Sequence, residues 1–447
     1  MICPTIMSSR GGLRNLDSKA ITKIQALVLV SIIIAATAGG IATYYFLSGQ
    51  EISSESIKIG VIGDLDMPHG KSGLEGALLA AEQINAEGGL LGRLLEVVAE
   101  DDDSSTPGGD PSKSVNALTK LITQDKVDFV IGMVAGEAVF SCQDLIAQHK
   151  KIYINVFAAI EQLTQRVEDD YDKYKYFFRY SPPNSSSVVL GLVDNLIYMR
   201  ELTGFNKIAY LSDYYPAWDE TKAVLDLLPE NHGYELVYTG EFVPGTVDFT
   251  SYFAAAEAAG AEVLITLLAA ESIPFIKEYY DRQSPMILWG YNMQAASVDF
   301  WELTEGKCEY TSAFLVPIVA GYPLTSKTLP TREALLNYWD GIAVQPASAT
   351  FDALRFVLAD ALERAGTTET EAVIKALEET SIETSTSTKF EFTSSHDVLI
   401  RADSDQGFMF QWQADGALAP IYPRNAMETA GATYTFPDWP GPWDEIS

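Results

Sequence analysis

The stretch GDLDMPHGKSG, residues 63 to 73, sets Gly-Lys-Ser just after the apolar run IKIGVI and so offers the chemistry of a phosphate-cradling loop. Such a loop needs an earlier glycine at a fixed spacing, because the backbone has to curl around the anion. Leu65 stands at that place, and Pro68 removes a backbone N–H that would point at a phosphate. The spacing argues against nucleotide chemistry. It leaves a buried strand, a loop and a helix whose N-terminus faces whatever lies beyond the strand. Ser72 followed by Glu75 reads as a capping box, and Leu74, Ala77, Leu78, Ala81 and Ile84 fall at helical spacing. Met67, His69 and Ser72 are the residues this loop would present to a ligand.

The parts of common catalytic sites are missing. There is no Gly-x-Ser-x-Gly elbow, no His-Glu-x-x-His and no cysteine set beside a histidine motif, so the expected role is not enzymatic. Histidines 69, 149, 232 and 396 stand far apart, and Cys3, Cys142 and Cys308 have no metal-ligand spacing. No cofactor or metal is expected. Cys142 and Cys308 read as buried thiols, with a disulfide as the alternative. EDDDSS, from Glu100, has the charge of a calcium loop without its ligand spacing, and reads as a strand exit and helix N-cap. Asn184 opens a glycosylation sequon, NSS.

The chain has 447 residues, 47% of them hydrophobic and 20% charged, the balance of a globular protein of two or three domains. Its net charge of -31, from 30 basic and 61 acidic residues, argues against nucleic acid as a partner. The run from Ala26 to Leu47 carries no charge and is long enough to cross a bilayer. Arg10, Arg14, Lys19 and Lys23 precede it, and Glu51 and Glu55 follow. The positive-inside rule then puts the tail in the cytoplasm and the rest of the chain outside, as a single-pass membrane protein with an extracellular or periplasmic domain. A cleaved signal peptide is the alternative.

Beyond a short polar linker, β-rich runs alternate with helical stretches: IKIGVIG, LLEVVAED, VDFVIGM and KIYINVF, then KIAYLSD, ELVYTGEFV, EVLITLL and PMILWGY. Alternation of this kind predicts α/β architecture with two doubly wound, mostly parallel sheets. In such sheets a ligand lies beyond the C-terminal strand ends, so two lobes facing one another enclose a cleft.

From IKIGVIGDLDMPHGKSG through EQINAEGGLLG, the EDDDSS exit and LITQDKVDFVIG, the chain resembles the branched-chain amino-acid-binding receptors of ABC transporters, the type I periplasmic binding proteins. PGTVDFTSYFAAAEAAGAEVLI and ATFDALRFVLADALERAG resemble that family's second-lobe segment and late first-lobe helix. The resemblance covers about Ile57 to Pro423. It implies two Rossmann-like lobes crossed three times, near Arg179 to Ser181, Leu315 to Pro317 and Thr384 to Phe390. The expected division is a cytoplasmic tail (1–25), an anchor (26–47), a linker (48–56), lobe I (57–179 and 317–385), lobe II (180–316 and 386–430) and a C-terminal tail (431–447). The implied function is that of a monomer capturing a small solute and handing it to a permease with its ATPase. A membrane-tethered sensor of the same fold is the alternative.

The resemblance also locates the ligand. The loop after the third strand, where the family carries serines for a ligand carboxylate, reads MVAGEAV, with Ala135, Gly136 and Glu137. The next strand exit supplies Phe157, Ala158 and Ala159. In the second lobe Trp218 holds the aromatic position, Asp219 replaces a glycine, Ala270 and Glu271 follow a strand, and Asn292 stands where the family's acidic residue takes the ligand ammonium. The expected ligand is therefore an amide, a small peptide or an aromatic or largely apolar metabolite, walled by Phe157 and Trp218.

Overall fold

The computed structural model describes residues 55–103, 110–215, 218–243, 245–269, 272–297, 299–338, 344–400 and 407–446, within a compact unit that spans Ser53–Ser447. The stretch expected to cross a membrane, 26–47, lies outside the described residues. Among the described ones no helix is long and apolar enough to span a bilayer.

Two parallel sheets organise the chain. The first has five strands in the order β2-β1-β3-β4-β5: β1 (Ile57–Gly63), β2 (Leu95–Asp101), β3 (Phe129–Met133), β4 (Tyr153–Asn155) and β5 (Phe177–Arg179). The second has four in the order β7-β6-β8-β9: β6 (Lys207–Asp213), β7 (Glu235–Phe242), β8 (Val263–Leu268) and β9 (Ile287–Asn292). β3 and β8 are buried along their whole length, as continuous apolar runs covered by helices on both faces must be. In each sheet the chain leaves the central strand to one side and returns to the other, between β1 and β3 and between β6 and β8. Those are the switch points at which ligands of such sheets bind.

The helix after β1, α1 (Pro68–Ala86), starts earlier than the capping-box pattern predicts. Pro68 supplies the preorganised first turn after Met67, so Ser72 is a buried residue inside the helix and not its cap. Leu74 is half-buried and Leu78 exposed, while Ala77, Ala81 and Ile84 face the core. Gly73, the last residue of the phosphate-loop look-alike, and Gly76 beyond it have a packing role. A Cβ on Gly73 would lie 1.7 Å from Met133 Sδ, and one on Gly76 would lie 2.1 Å from the carbonyl oxygen of Ala347. The acidic strand exit is equally structural: Asp101 accepts the Leu65 N–H (2.9 Å), Asp102 the Ser114 hydroxyl (2.9 Å), and Asp103 pairs with Lys113. The N-cap of the following helix is Asp110, which accepts the Ser112 N–H at 2.9 Å.

The late helix α10 (Val344–Asp352) packs on α1 and so belongs with the first sheet. β10 (Ser312–Leu315) pairs antiparallel with β13 (Phe408–Trp412), which pairs with β14 (Leu418–Tyr422); β11 (Ser381–Ile382) and β12 (Phe390–Glu391) form a separate antiparallel ribbon. Phe390 lies against Tyr180 (4.8 Å between ring centroids), Phe392 against Phe178 (5.1 Å) and His396 flat on Phe178 (4.0 Å). This part of the segment expected in the second lobe therefore lies on β5. The expected C-terminal tail is packed as well: Trp439 donates its indole N–H to the Ser284 carbonyl at 2.9 Å and meets Tyr279, Tyr280 and Tyr310. Cys142 and Cys308 are buried free thiols, and burial pushes them up to about 12 and about 11.

Candidate functional site

The first sheet's strand ends contribute His69, Glu137 and Phe157. His69, in the first turn of α1, stacks on Phe157 with centroids 4.8 Å apart and planes 10° from parallel. Burial lowers its pKa, against the opposing pull of Asp64, which favours the uncharged ring as an aromatic wall. Met67 is 44% exposed beside it. After β3, Ala135 is the N-cap of α3 (Gly136–His149), and Glu137 lies in its first turn, where the helix dipole favours an anion.

Gly136 has a steric reason to lack a side chain. A Cβ there would sit 2.9 Å from Ile160 Cγ2. Gly136→Ser, which restores the family's hydroxyl, is expected to displace Ile160 and cost about 1–3 kcal/mol. Denaturant unfolding of the variant measures that cost, and an unchanged midpoint would mean the loop yields freely. Backbone donors at the neighbouring exit are also engaged. The Ala158 N–H goes to Asn155 Oδ1 (3.0 Å), and Asn155 Nδ2 donates to the Ala158 carbonyl (2.8 Å). Ala158 is buried, and the Ala159 carbonyl accepts from Ser185 N at 2.9 Å. A ligand carboxylate finds neither a hydroxyl at Gly136 nor a spare N–H at Ala158.

The second sheet contributes an aromatic corner. Asp213, buried at the end of β6, accepts the Trp218 indole N–H and the Ala269 N–H, each at 2.8 Å. This fixes the indole at the start of the helix Trp218–Leu225. Tyr215 lies edge-on to Trp218 at 5.8 Å and 66°, and Tyr291 at 5.2 Å and 64°, with Phe314 beyond Tyr291 at 6.4 Å. Trp218 is itself only 7% exposed, so it is part of its own lobe's core as well as a candidate wall. Asp219 points away and pairs with Lys222 at 3.0 Å. Ala270 and Glu271 lie outside the described residues.

Asn292 is 1% exposed at the end of β9. Its Oδ1 accepts from the Ser272 hydroxyl (2.7 Å) and from Ala295 N (3.3 Å), capping a short helical turn, while Nδ2 has no hydrogen-bond partner among the described residues. A donor pair that is neutral and unmet stands where an anion is expected from the resemblance.

Groups of the two sheets act on one another: Gln345 on α10 bears on the Tyr291 phenol, and the Tyr215 phenol, whose pKa burial raises, is raised further by the Glu137 carboxylate. Tyr215, Tyr291 and Gln345 were not among the residues predicted from sequence. The doublet Tyr214-Tyr215 beside Trp218 was a usable signal, whereas nothing local marks Gln345.

The profile of the periplasmic binding protein family matches residues 56–417. The leucine-, isoleucine-, valine-, threonine- and alanine-binding protein of Pseudomonas aeruginosa is 30% identical over 135 residues, which is 30% of this chain and 33% of that protein, so the match spans about a third of the relative's length. An ABC transporter substrate-binding protein from Sphaerobacter thermophilus superposes with a TM-score of 0.68 at 22% identity, over 82% of this chain and 96% of that one. A solute-binding protein of an ABC transporter from R. palustris, in complex with benzoate, superposes with 0.65 at 16% identity over 82% and 96%. These structural likenesses concern the fold. With its profile match across most of its length and its two switch-point sheets, the chain belongs to the periplasmic binding protein family, in the type I α/β fold.

Proposed function

We propose that this chain is the extracytoplasmic solute-binding component of an ABC transporter, held at the membrane by residues 26–47, which captures one small organic solute between its two lobes and hands it to a permease. What supports this reading is that groups at the two switch points act on each other: the Glu137 carboxylate after β3 bears on the Tyr215 phenol after β6, with the Phe157–His69 stack at the ends of the first sheet and the Trp218–Tyr291 pair at those of the second. Pockets of this kind take an apolar body and fix it with a few polar groups. Names of relatives point to amino acids and to an aromatic acid as solutes. For this chain a simple branched-chain amino acid is a poor fit, because a buried carboxylate and ammonium each need partners and cost several kcal/mol without them. Gly136, Ala158 and the neutral Asn292 do not supply those partners.

A thermal-shift panel on the full chain tests this. A true solute at about a hundred times its dissociation constant adds about 2.7 kcal/mol of stability. Leucine, isoleucine and valine at micromolar concentration are expected to give no shift, and a clear shift with any of them overturns the exclusion. Trp218→Phe keeps a ring but frees Asp213 of one donor. It is expected to cost about 2 kcal/mol of stability without any solute, the scale of a hydrogen bond to a buried charge. A variant as stable as the parent would mean that the indole N–H does not hold the corner in place.

A further inference from the structure

Aromatic rings packed edge to face form a corner, and a ring face carries the negative side of its quadrupole. Tyr215, Trp218 and Tyr291 are set in this way, at 66° and 64°. Among the described residues, the charges that bear on Tyr215 both have one sign. Glu137 and Asp213 act on Tyr215, and Asp213 holds the indole of Trp218. Across the cleft the flat wall of Phe157 and His69 is under Asp64. Lys71, on the same helix as His69, bears instead on the buried Glu75. Glu137 is exposed in the first turn of α3, and its carboxylate makes no ion pair among the described residues. Aromatic faces joined by an unpaired carboxylate form an environment that favours a cation with an apolar shell, and they disfavour an anion by the same electrostatics.

We propose that the cleft selects an organic cation of the quaternary or alkylated ammonium class, its onium group held against Tyr215, Trp218 and Tyr291 and neutralised by Glu137, with the Asn292 amide donating to a neutral oxygen at the other end of the solute. This rests on the reading of the chain as a solute-binding protein and names the solute class for that site. It assigns Asn292 a purpose, since its buried Nδ2 lacks an acceptor among the described residues. A donor there suits a hydroxyl or carbonyl oxygen, and an amino-acid ammonium would meet repulsion from it.

The test is calorimetric titration of the full chain in detergent with choline chloride and with 3,3-dimethyl-1-butanol, in which carbon replaces the charged nitrogen at constant shape. Choline is expected to bind at least about tenfold more tightly than its neutral analogue, the scale of a desolvated cation–π site with a counter-charge. Glu137→Gln is expected to cut that ratio about tenfold while leaving the affinity for the neutral analogue unchanged. Equal affinity for the two probes, or a ratio unmoved by Glu137→Gln, overturns the cation assignment. Benzoate or leucine giving heat where choline gives none also overturns it, but leaves the solute-binding reading standing. Silence of choline at millimolar concentration overturns the cation assignment, while the solute-binding reading is decided by the thermal-shift panel.

Discussion

Asp397→Ala is expected to lower the stability of the described unit by about 3–5 kcal/mol, the usual result of stripping a buried charge of its partner. Arg179, at the end of β5, is 0% exposed, with Nε 3.2 Å from Asp397 Oδ1; the separation is that of an ion pair, although the direction of the N–H falls short of a hydrogen bond. Its Nη2 donates to the Ile160 carbonyl (2.9 Å) and to Thr164 Oγ1 (3.1 Å). Burial lowers the Arg179 pKa, and Asp397 and then Glu161 oppose that effect. Removing Asp397 leaves only the weaker opponent. It also frees the Thr164 hydroxyl (2.9 Å) and the Asn184 amide (3.0 Å), which caps the helix Ser185–Thr203 just past the first crossing. Denaturant midpoints measure the loss. An apolar double replacement, Arg179→Met with Asp397→Leu, is expected to recover most of it, because the penalty belongs to the unpaired charge more than to the missing pair. A single variant within about 1 kcal/mol of the parent would show that Arg179 finds water or Glu161 at no cost.

Asp352 is expected to make the fold less stable as pH rises from about 4 to about 6, and Asp352→Asn to remove that slope. The side chain is fully buried at the end of α10, where desolvation raises its pKa from 3.8 to about 6. Hydrogen bonds from the Ser385 hydroxyl (2.7 Å), the Tyr180 phenol (2.8 Å) and the Ser385 N–H (3.0 Å) oppose the rise without cancelling it. Tyr180 is the titratable neighbour; the other groups facing the carboxyl are hydroxyls of Thr384, Ser385 and Thr386. Between 3.8 and about 6 the unfolded chain has released this proton and the folded chain keeps it, so each step up in pH favours unfolding. Below that window both states are protonated and the penalty is absent; above it both are ionised and the penalty is constant. Across the window the difference amounts to about 3 kcal/mol. The many other carboxylates of this acidic chain contribute pH dependence of their own, so the quantity to measure is parent minus variant at each pH. Parallel curves would exclude Asp352 as the source.

Where the sequence speaks locally, it was a sufficient guide. The strands of both sheets are apolar runs bounded by polar exits, and their alternation with helices implies the parallel topology. The start of α1 differs from the sequence expectation because Ser72 and Glu75 satisfy a capping pattern, while Pro68 provides an earlier start that the glycines at 70, 73 and 76 allow to pack. The site was half legible. Glu137, Phe157, Trp218 and Asn292 follow strand ends and could be found by position. Tyr291 was hidden inside a strand motif, and its partner Gln345 comes from a helix distant in the chain. Asp352 and Asp397 could not be told from the other acidic residues, because what distinguishes them is burial, and burial of a single carboxylate has no signature in a sequence this rich in them.

The interaction of Gln345 with the Tyr291 phenol joins one protein group to another and involves no solute. Its contribution to bringing the lobes together is therefore common to every occupant of the cleft. It lifts all affinities by the same factor and alters no ratio between two competing solutes, since selectivity is a difference of binding free energies in which a shared quantity cancels. Discrimination has to reside in groups that an occupant itself meets, and exchange at position 345 would retune the concentration range in which the receptor responds without changing what it responds to.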